Sequence, residues 1–218
     1  MTDAIIRWLR MRASRGDYAS MARFAQALYD RGLTPEEVLL ECYEVDFPEE
    51  FFAVAGERLA NTHLLVTYTN QPWKLGVPPS KGGPPPSATD LTDGVERRIF
   101  ARDTDLVPLM QLMGSGITSR SPVICYRLTA LQEGSTAVFG IARTAAPRDE
   151  IVRVGDSLLA VLETHHNERL RHMEWTMRQP WNEGFGAEDE RAVIEVASLL
   201  ERVEKLRRDL LSSPNSTE

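Results

Sequence analysis

The sequence predicts an α+β fold: a central, mostly antiparallel sheet packed by helices, with an N-terminal helical extension and a long C-terminal helix. Three observations carry this expectation. Apolar residues recur at helical spacing through the first third of the chain, β-prone runs dominate the middle, and the helical period returns near the end. The implied division is a helical segment over residues 1–44, an α+β core over 45–180, and a final helix with a disordered tail over 181–218.

Ile5, Ile6, Leu9 and Ala13 mark a first helix, with Arg7, Arg10 and Arg12 between them. Gly16-Asp17 breaks it, and Met21, Phe24, Ala25 and Leu28 form one face of a second, which stops at Gly32. Thr34-Pro35-Glu36-Glu37 combines a capping hydroxyl, a proline at the first helical position and a Glu three residues on, so a third helix starts there. Phe47-Pro48-Glu49-Glu50-Phe51-Phe52 opens a fourth, its carboxylates suited to the positive end.

From His63 the period changes, and Leu64 to Tyr68 reads as a strand. The stretch Pro78 to Ser87 is rich in proline and glycine and reads as an exposed loop. Val95 to Ala101 is expected as a strand, and Thr104-Asp105 as the cap of a helical turn through Leu106, Leu109 and Met110, ended by Gly114. Pro122 to Leu128 and Thr136 to Ala142 read as paired strands across a Glu133-Gly134 turn, with Ile151 to Val154 as a short edge. Gly155-Asp156-Ser157 starts a long helix that buries Leu158, Val161 and Leu162. After Gly184-Phe185-Gly186, Glu188-Asp189-Glu190 begins the last helix, with Val193, Val196, Leu200 and Val203 on its apolar face.

A net charge of −7 argues against nucleic acid as partner, because phosphate contacts need a basic surface. It suits solubility and can steer a basic partner. No apolar run approaches a membrane span, and no secretory leader is recognisable, so the expected location is the cytoplasm and no membrane partner is expected. Cys42 and Cys125 each sit among apolar residues and read as small buried hydrophobes rather than a disulfide or zinc pair.

The catalytic templates fail on spacing. Gly114-Ser115-Gly116 lacks the first glycine of a nucleophile elbow, where Met113 stands, and the third of a dinucleotide loop, where Ser119 stands. His165, Glu168 and His172 follow each other at the three- and four-residue steps of metal-binding helices. His165 and His166 cannot both face one ion, however, and the reading adopted is a row of polar side chains on the outer, solvated face. Asp103, Asp105, Asp90 and Asp93 read as turn or cap residues. Trp73, Trp175 and Trp181 read as packing residues or, where exposed, as interface anchors. No residue is assigned as catalytic, cofactor-binding or metal-binding, no cofactor is implied, and no partner-contact residue is named.

The segments Phe47-Pro48-Glu49-Glu50-Phe51, Cys125-Tyr126-Arg127-Leu128, Ala137-Val138-Phe139-Gly140 and Asp156-Ser157-Leu158-Leu159 to Leu162 come in an order that resembles the SUKH superfamily. These are the immunity proteins of bacterial polymorphic toxin systems and their relatives. Members open with a Leu-Pro-x-x-[Tyr/Phe] helix, form a mainly antiparallel sheet and close with a Ser-Phe-x-x-Phe-Leu-like helix. The likeness spans Val45 to Glu163. It departs from the family where Gly114 to Arg120 replaces an Asp-Gly-Asp-like segment, and Trp73 only approximates the usual opening of the sheet.

The resemblance implies a bacterial, non-catalytic protein that neutralises a cognate toxin by forming a complex, its acidic surface covering a basic toxin domain. A structural or assembly protein that contacts partners, or a second copy, through its terminal helices is the other reading, with Glu188 to Leu211 as the pairing helix. A metal-dependent hydrolase using His165 and Glu168 is the third.

Overall fold

The computed structural model describes residues 2–56, 66–113, 122–179 and 186–212. Within them, eight helices and five strands form the α+β architecture expected. The helices α1 (Asp3–Arg12), α2 (Tyr18–Tyr29), α3 (Pro35–Tyr43) and α4 (Glu49–Gly56) come first. The strand β1 (Val66–Tyr68) leads to α5 (Asp90–Arg102), then β2 (Leu106–Leu112), β3 (Pro122–Arg127), the short α6 (Leu128–Gln132), β4 (Val138–Ala142) and β5 (Val152–Gly155). The long helices α7 (Leu158–Met177) and α8 (Ala187–Ser212) follow.

Start signals read from the sequence act as such. The Glu37 N–H donates to Thr34 Oγ1 at 3.3 Å while the Thr34 N–H donates back to Glu37 Oε2 at 2.8 Å, a capping box. Ser157 accepts from Ala160 N–H at 3.2 Å at the start of α7, and Asp189 accepts from Gly186 N–H at 3.1 Å beside α8. Parts of three readings, residues 63–65, the Gly114–Gly116 turn and the tail from Ser213, lie outside the described residues.

The strands pair in sequence order, each antiparallel to the next, so β1 and β5 are the two edges. Alternation along β3 assigns its side chains to two cores. Ile124 and Tyr126 join the larger one with α2, α3, α4, α7 and α8. Val123 and Cys125 join the smaller, against Val95 and Ile99 of α5. Residues from all three of the segments named above share the larger core. At the β5 edge, Gly140 leaves room for Val154 and Gly155 for Val161: a Cβ on either glycine would come within 2.9 and 2.5 Å of those side chains.

Two expectations are overturned. Residues 95–101 belong to α5, not a strand. Thr92, Val95, Glu96 and Ile99 are all buried at the i, i+3, i+4, i+7 positions of one helical face, a pattern that the polar members Thr92 and Glu96 disguise. Residues 106–110 are the strand β2, not a helical turn. Every residue from Leu106 to Met110 is buried, because helices cover both faces of the sheet there, and a continuous apolar run carries no period to tell strand from helix. Pro108, which has no N–H for the ladder, sits where the register shifts between Pro108 and Met110. The Pro78–Ser87 loop is also more tied down than expected: Gly83 and Pro84 are buried, and Tyr18 donates to the Pro85 carbonyl at 2.9 Å.

If α5 seals the second core, Ile99→Ala should cost about 2–4 kcal/mol by cavity formation. Urea unfolding would read this as a lower midpoint at unchanged slope, against a change within about 0.5 kcal/mol for a surface position.

Candidate functional site

The helix opened by Phe47-Pro48 and the start of α7 meet at one carboxylate. Glu50, on the first turn of α4, is 8% exposed and reaches the start of α7. Leu158 N–H donates to Glu50 Oε1 at 2.8 Å and Leu159 N–H to Oε2 at 3.2 Å. The hydroxyl of Tyr126, from β3, donates to Oε1 at 3.1 Å. Burial, with Glu50 alongside, holds the Tyr126 hydroxyl well above its ordinary pKa, so it remains a donor. Around this joint, Phe47 meets Tyr43, Phe51 and Tyr126 edge-on at 5.1, 5.0 and 6.2 Å between centroids, and Phe51 stacks on Trp73 at 4.3 Å. Trp73 thus packs against the opening helix, and its indole N–H donates to the Leu109 carbonyl.

A second anchor lies one residue on in β3, where alternation turns the side chain to the opposite face. Arg127 bridges Asp103 and Asp105, each at 3.2 Å. Asp105 accepts from Thr129 N–H at 2.9 Å and from its hydroxyl at 2.7 Å, capping α6. Burial alone would raise the Asp105 pKa, but the Thr129 hydrogen bonds and Arg127 outweigh it and hold it below the usual value. The cap role read from sequence is what Asp105 performs.

The histidines stand differently from the expectation. His165 and His166 are 5% and 1% exposed, not on a solvated face, while Glu168 and His172 are exposed. The first half of α7 packs between the sheet and neighbouring helices, so this stretch buries polar residues that hydropathy assigns to solvent. His166 Nδ1 lies 2.6 Å from the Leu162 carbonyl, and burial lowers its pKa. His165 is thus buried while Glu168 and His172, one and two turns on, face outward, and no group of three metal-ligating side chains occurs among the described residues.

A polar pocket lies elsewhere, at residues not singled out in the sequence. The segment after β1 carries three buried polar residues, Thr69, Asn70 and Gln71. Asn70 N–H donates to Glu96 Oε1, and its amide donates to Thr92 Oγ1 at 2.8 Å. Gln71 donates to the Arg15 carbonyl at 3.1 Å and accepts from Tyr43 at 3.3 Å. Arg15 donates to the Thr104 carbonyl and lies over the Phe100 ring at 5.4 Å. Between Arg15, Tyr43, Gln71, Glu96 and the start of β2 is a pocket with about 10 Å³ of free space, room for one water. Burial pushes the Glu96 carboxyl up to about 7 against the pull of its hydrogen bonds to Asn70 and Gln71. Sequence reading missed Glu96 because its segment was assigned to a strand, which hides the pairing with Thr92.

On the surface, Ile5, Trp8 and Met11 of α1 are 45%, 49% and 73% exposed, with Arg12 over the Trp8 ring at 4.6 Å. Tryptophan, methionine and arginine together are the composition enriched at protein interfaces. The signal was available, since Trp8 interrupts the arginines of a helix whose inner face is Ile6 and Leu9. Trp175 is also exposed, at the end of α7, and Trp181 lies outside the described residues. No helix among the described residues is long and apolar enough to cross a membrane.

Compared with known proteins, the chain matches no family model, no curated protein and no solved structure.

Glu50→Ala should destabilise the fold by about 3 kcal/mol, since it strands two helix N–H groups and a tyrosine hydroxyl in the core; Glu50→Gln should lose less. Chemical denaturation of both variants checks the order. A separate expectation concerns acid. The folded chain keeps His166 neutral, whereas the unfolded chain binds a proton below about pH 6.5. Stability from this group is present above that pH and lost on acidification. Between pH 7.5 and 5.5, unfolding curves of His166→Gln should therefore show a shallower loss than wild type.

Proposed function

We propose that the chain is a non-catalytic binding protein, and within that class a bacterial immunity protein of the cytoplasm that neutralises a cognate toxin by forming a stoichiometric complex. The observation that carries this reading is the joint at Glu50. Phe47 to Phe51 and Asp156 to Leu162, the outer segments of the SUKH-like likeness, close one unit around the antiparallel sheet through that side chain. The net charge of −7 supports a basic toxin domain as partner, docked by charge complementarity.

A second reading, an assembly protein working through its terminal helices, has one observation in its favour: the outward row of Ile5, Trp8 and Met11 on α1. The α8 helix is a poorer candidate for pairing with another chain, because Val196, Leu199, Leu200 and Val203 are spent inside this one.

Co-expression with the toxin-like protein encoded next to this gene should restore growth, and the purified pair should co-elute at one-to-one ratio. Affinity should fall by about tenfold or more between 50 and 500 mM salt if charge steers the contact. Failure of that neighbour to bind at low salt overturns the immunity reading. Light scattering of the whole chain and of Trp8→Glu examines the other: a larger assembly that dissociates in the variant supports it, and a monomer in both removes self-assembly.

A further inference from the structure

The exposed large apolar side chains at the N-terminal end of the fold lie on two helices: Ile5, Trp8 and Met11 on α1, and Leu40 on α3. The charges around them differ in sign. Arg7 and Arg12 are exposed beside Trp8 and Met11, with Arg12 over the Trp8 ring, whereas Leu40 is set among exposed Glu36, Glu37 and Glu44. The α1 helix holds Arg7, Arg10 and Arg12 against the single acid Asp3. The α3 helix with its cap residue holds Glu36, Glu37, Glu41 and Glu44 and no basic residue.

The two helices lie side by side and run the same way. Both pack on α2. Arg31, just ahead of α3, pairs at 3.0 Å with Asp3 at the start of α1, and Arg10 near the end of α1 pairs with Glu41 near the end of α3. Arg10 and Glu41 are both about half exposed, so the seam between the helices is open to solvent. On α3, Glu37, Leu40 and Glu44 share one outward face at the i, i+3, i+7 spacing; on α1, Ala4, Trp8 and Met11 share another at i, i+4, i+7. The result is one surface with a basic, apolar half and an acidic half, divided by the Arg10–Glu41 pair.

Such a surface is complementary to itself. A two-fold axis parallel to the helices sets α1 of one copy on α3 of the other, and the same contact recurs on the second side of the axis. Arginines then face glutamates twice, and Trp8 and Met11 face Leu40. Any arrangement that sets α1 on α1 opposes arginines to arginines, and a basic partner meets the same repulsion there. We propose that this surface is a two-fold interface between copies of this chain, α1 of each docked on α3 of the other. This interface supplies the surface that α1 meets in the assembly reading above, on which it rests, and it is independent of the immunity reading. The helices have ten and nine residues and are roughly 15 Å long, so the patch is small and the dimer weak, with a Kd on the order of 10–100 μM.

Charge reversal with rescue tests this, read by sedimentation of the full chain up to about 500 μM, well above the expected Kd. One variant carries Arg7→Glu and Arg12→Glu, the other Glu36→Lys and Glu44→Lys. All four positions are exposed, and circular dichroism checks that folding is unchanged. Each variant alone should dimerise about tenfold or more weakly than the unaltered chain. An equimolar mixture should regain the original affinity to within about threefold, because both contacts of the mixed dimer then oppose unlike charges. Dimers that survive both reversals, or a mixture no tighter than either variant alone, overturn the α1–α3 pairing and leave assembly through α1 to be judged by Trp8→Glu. A chain that stays monomeric throughout overturns the pairing and self-assembly together, whether or not it binds an acidic protein or anionic vesicles instead. Should a reversed variant fail to fold, the unaltered chain decides: its Kd should rise about threefold or more between 50 and 500 mM salt, and an unchanged or tighter dimer overturns the pairing.

Discussion

A carboxylate buried under a helix terminus is the constraint on which much of this fold depends. Glu50 is largely shielded from water, and its oxygens are served by two N–H groups of α7 and the hydroxyl of Tyr126. The exchange suits both sides, because the first turn of a helix has donors without partners and a partial positive charge. The consequence is positional. Once α4, β3 and α7 share one carboxylate, α7 has a fixed origin, and α8 packs along it with Arg207 paired to Glu163 at 2.5 Å. The aromatic cluster of Tyr43, Phe47, Phe51 and Trp73 then fills the angle between the opening helix and the sheet.

The other fixed points are polar as well, and each ties segments far apart in sequence. Arg127 with Asp103 and Asp105 sets the corner where β2, β3 and α6 meet. Asn70 and Gln71 connect the chain after β1 to α5, α3 and the turn at Arg15. Hydrophobic burial collapses such a chain without choosing among close alternatives, while a buried polar group penalises every arrangement that leaves it unserved. Two cores on opposite faces of one sheet are thereby held in a single register.

Legibility followed periodicity and capping. The helices α2 and α4 announced themselves by apolar spacing, and α3, α7 and α8 because Thr34, Ser157 and Asp189 are local signals, complete within four residues. β3 and β5 were legible from composition. α5 and β2 were exchanged for each other's type, and the cause is common to both: tertiary burial overrides the local pattern. Glu96 and Thr92 look solvent-facing until Asn70 is brought to them, and Leu106 to Met110 look aperiodic because both faces are covered. His165 and His166 went the same way. Trp8 was readable as an outward residue from the spacing of Ile6 and Leu9. The pocket lined by Arg15 and Glu96 was not, since nothing in a sequence relates positions 15 and 96 before the fold does.

The glycines at the β5 edge carry a final consequence. Val154 lies over Gly140, and Val161 of α7 lies against Gly155, so the last strand is held on by side chains that occupy the space two missing ones leave. The edge is otherwise lightly held, with Val152 and Val154 each more than 40% exposed and Arg153 between them as a charge that discourages pairing with foreign strands. Mutational tolerance and solvent exposure should part company here. The rim strand, the least buried part of the β structure, would be among its least permissive, because it requires the absence of a side chain at Gly155 and at the buried Gly140 beside it.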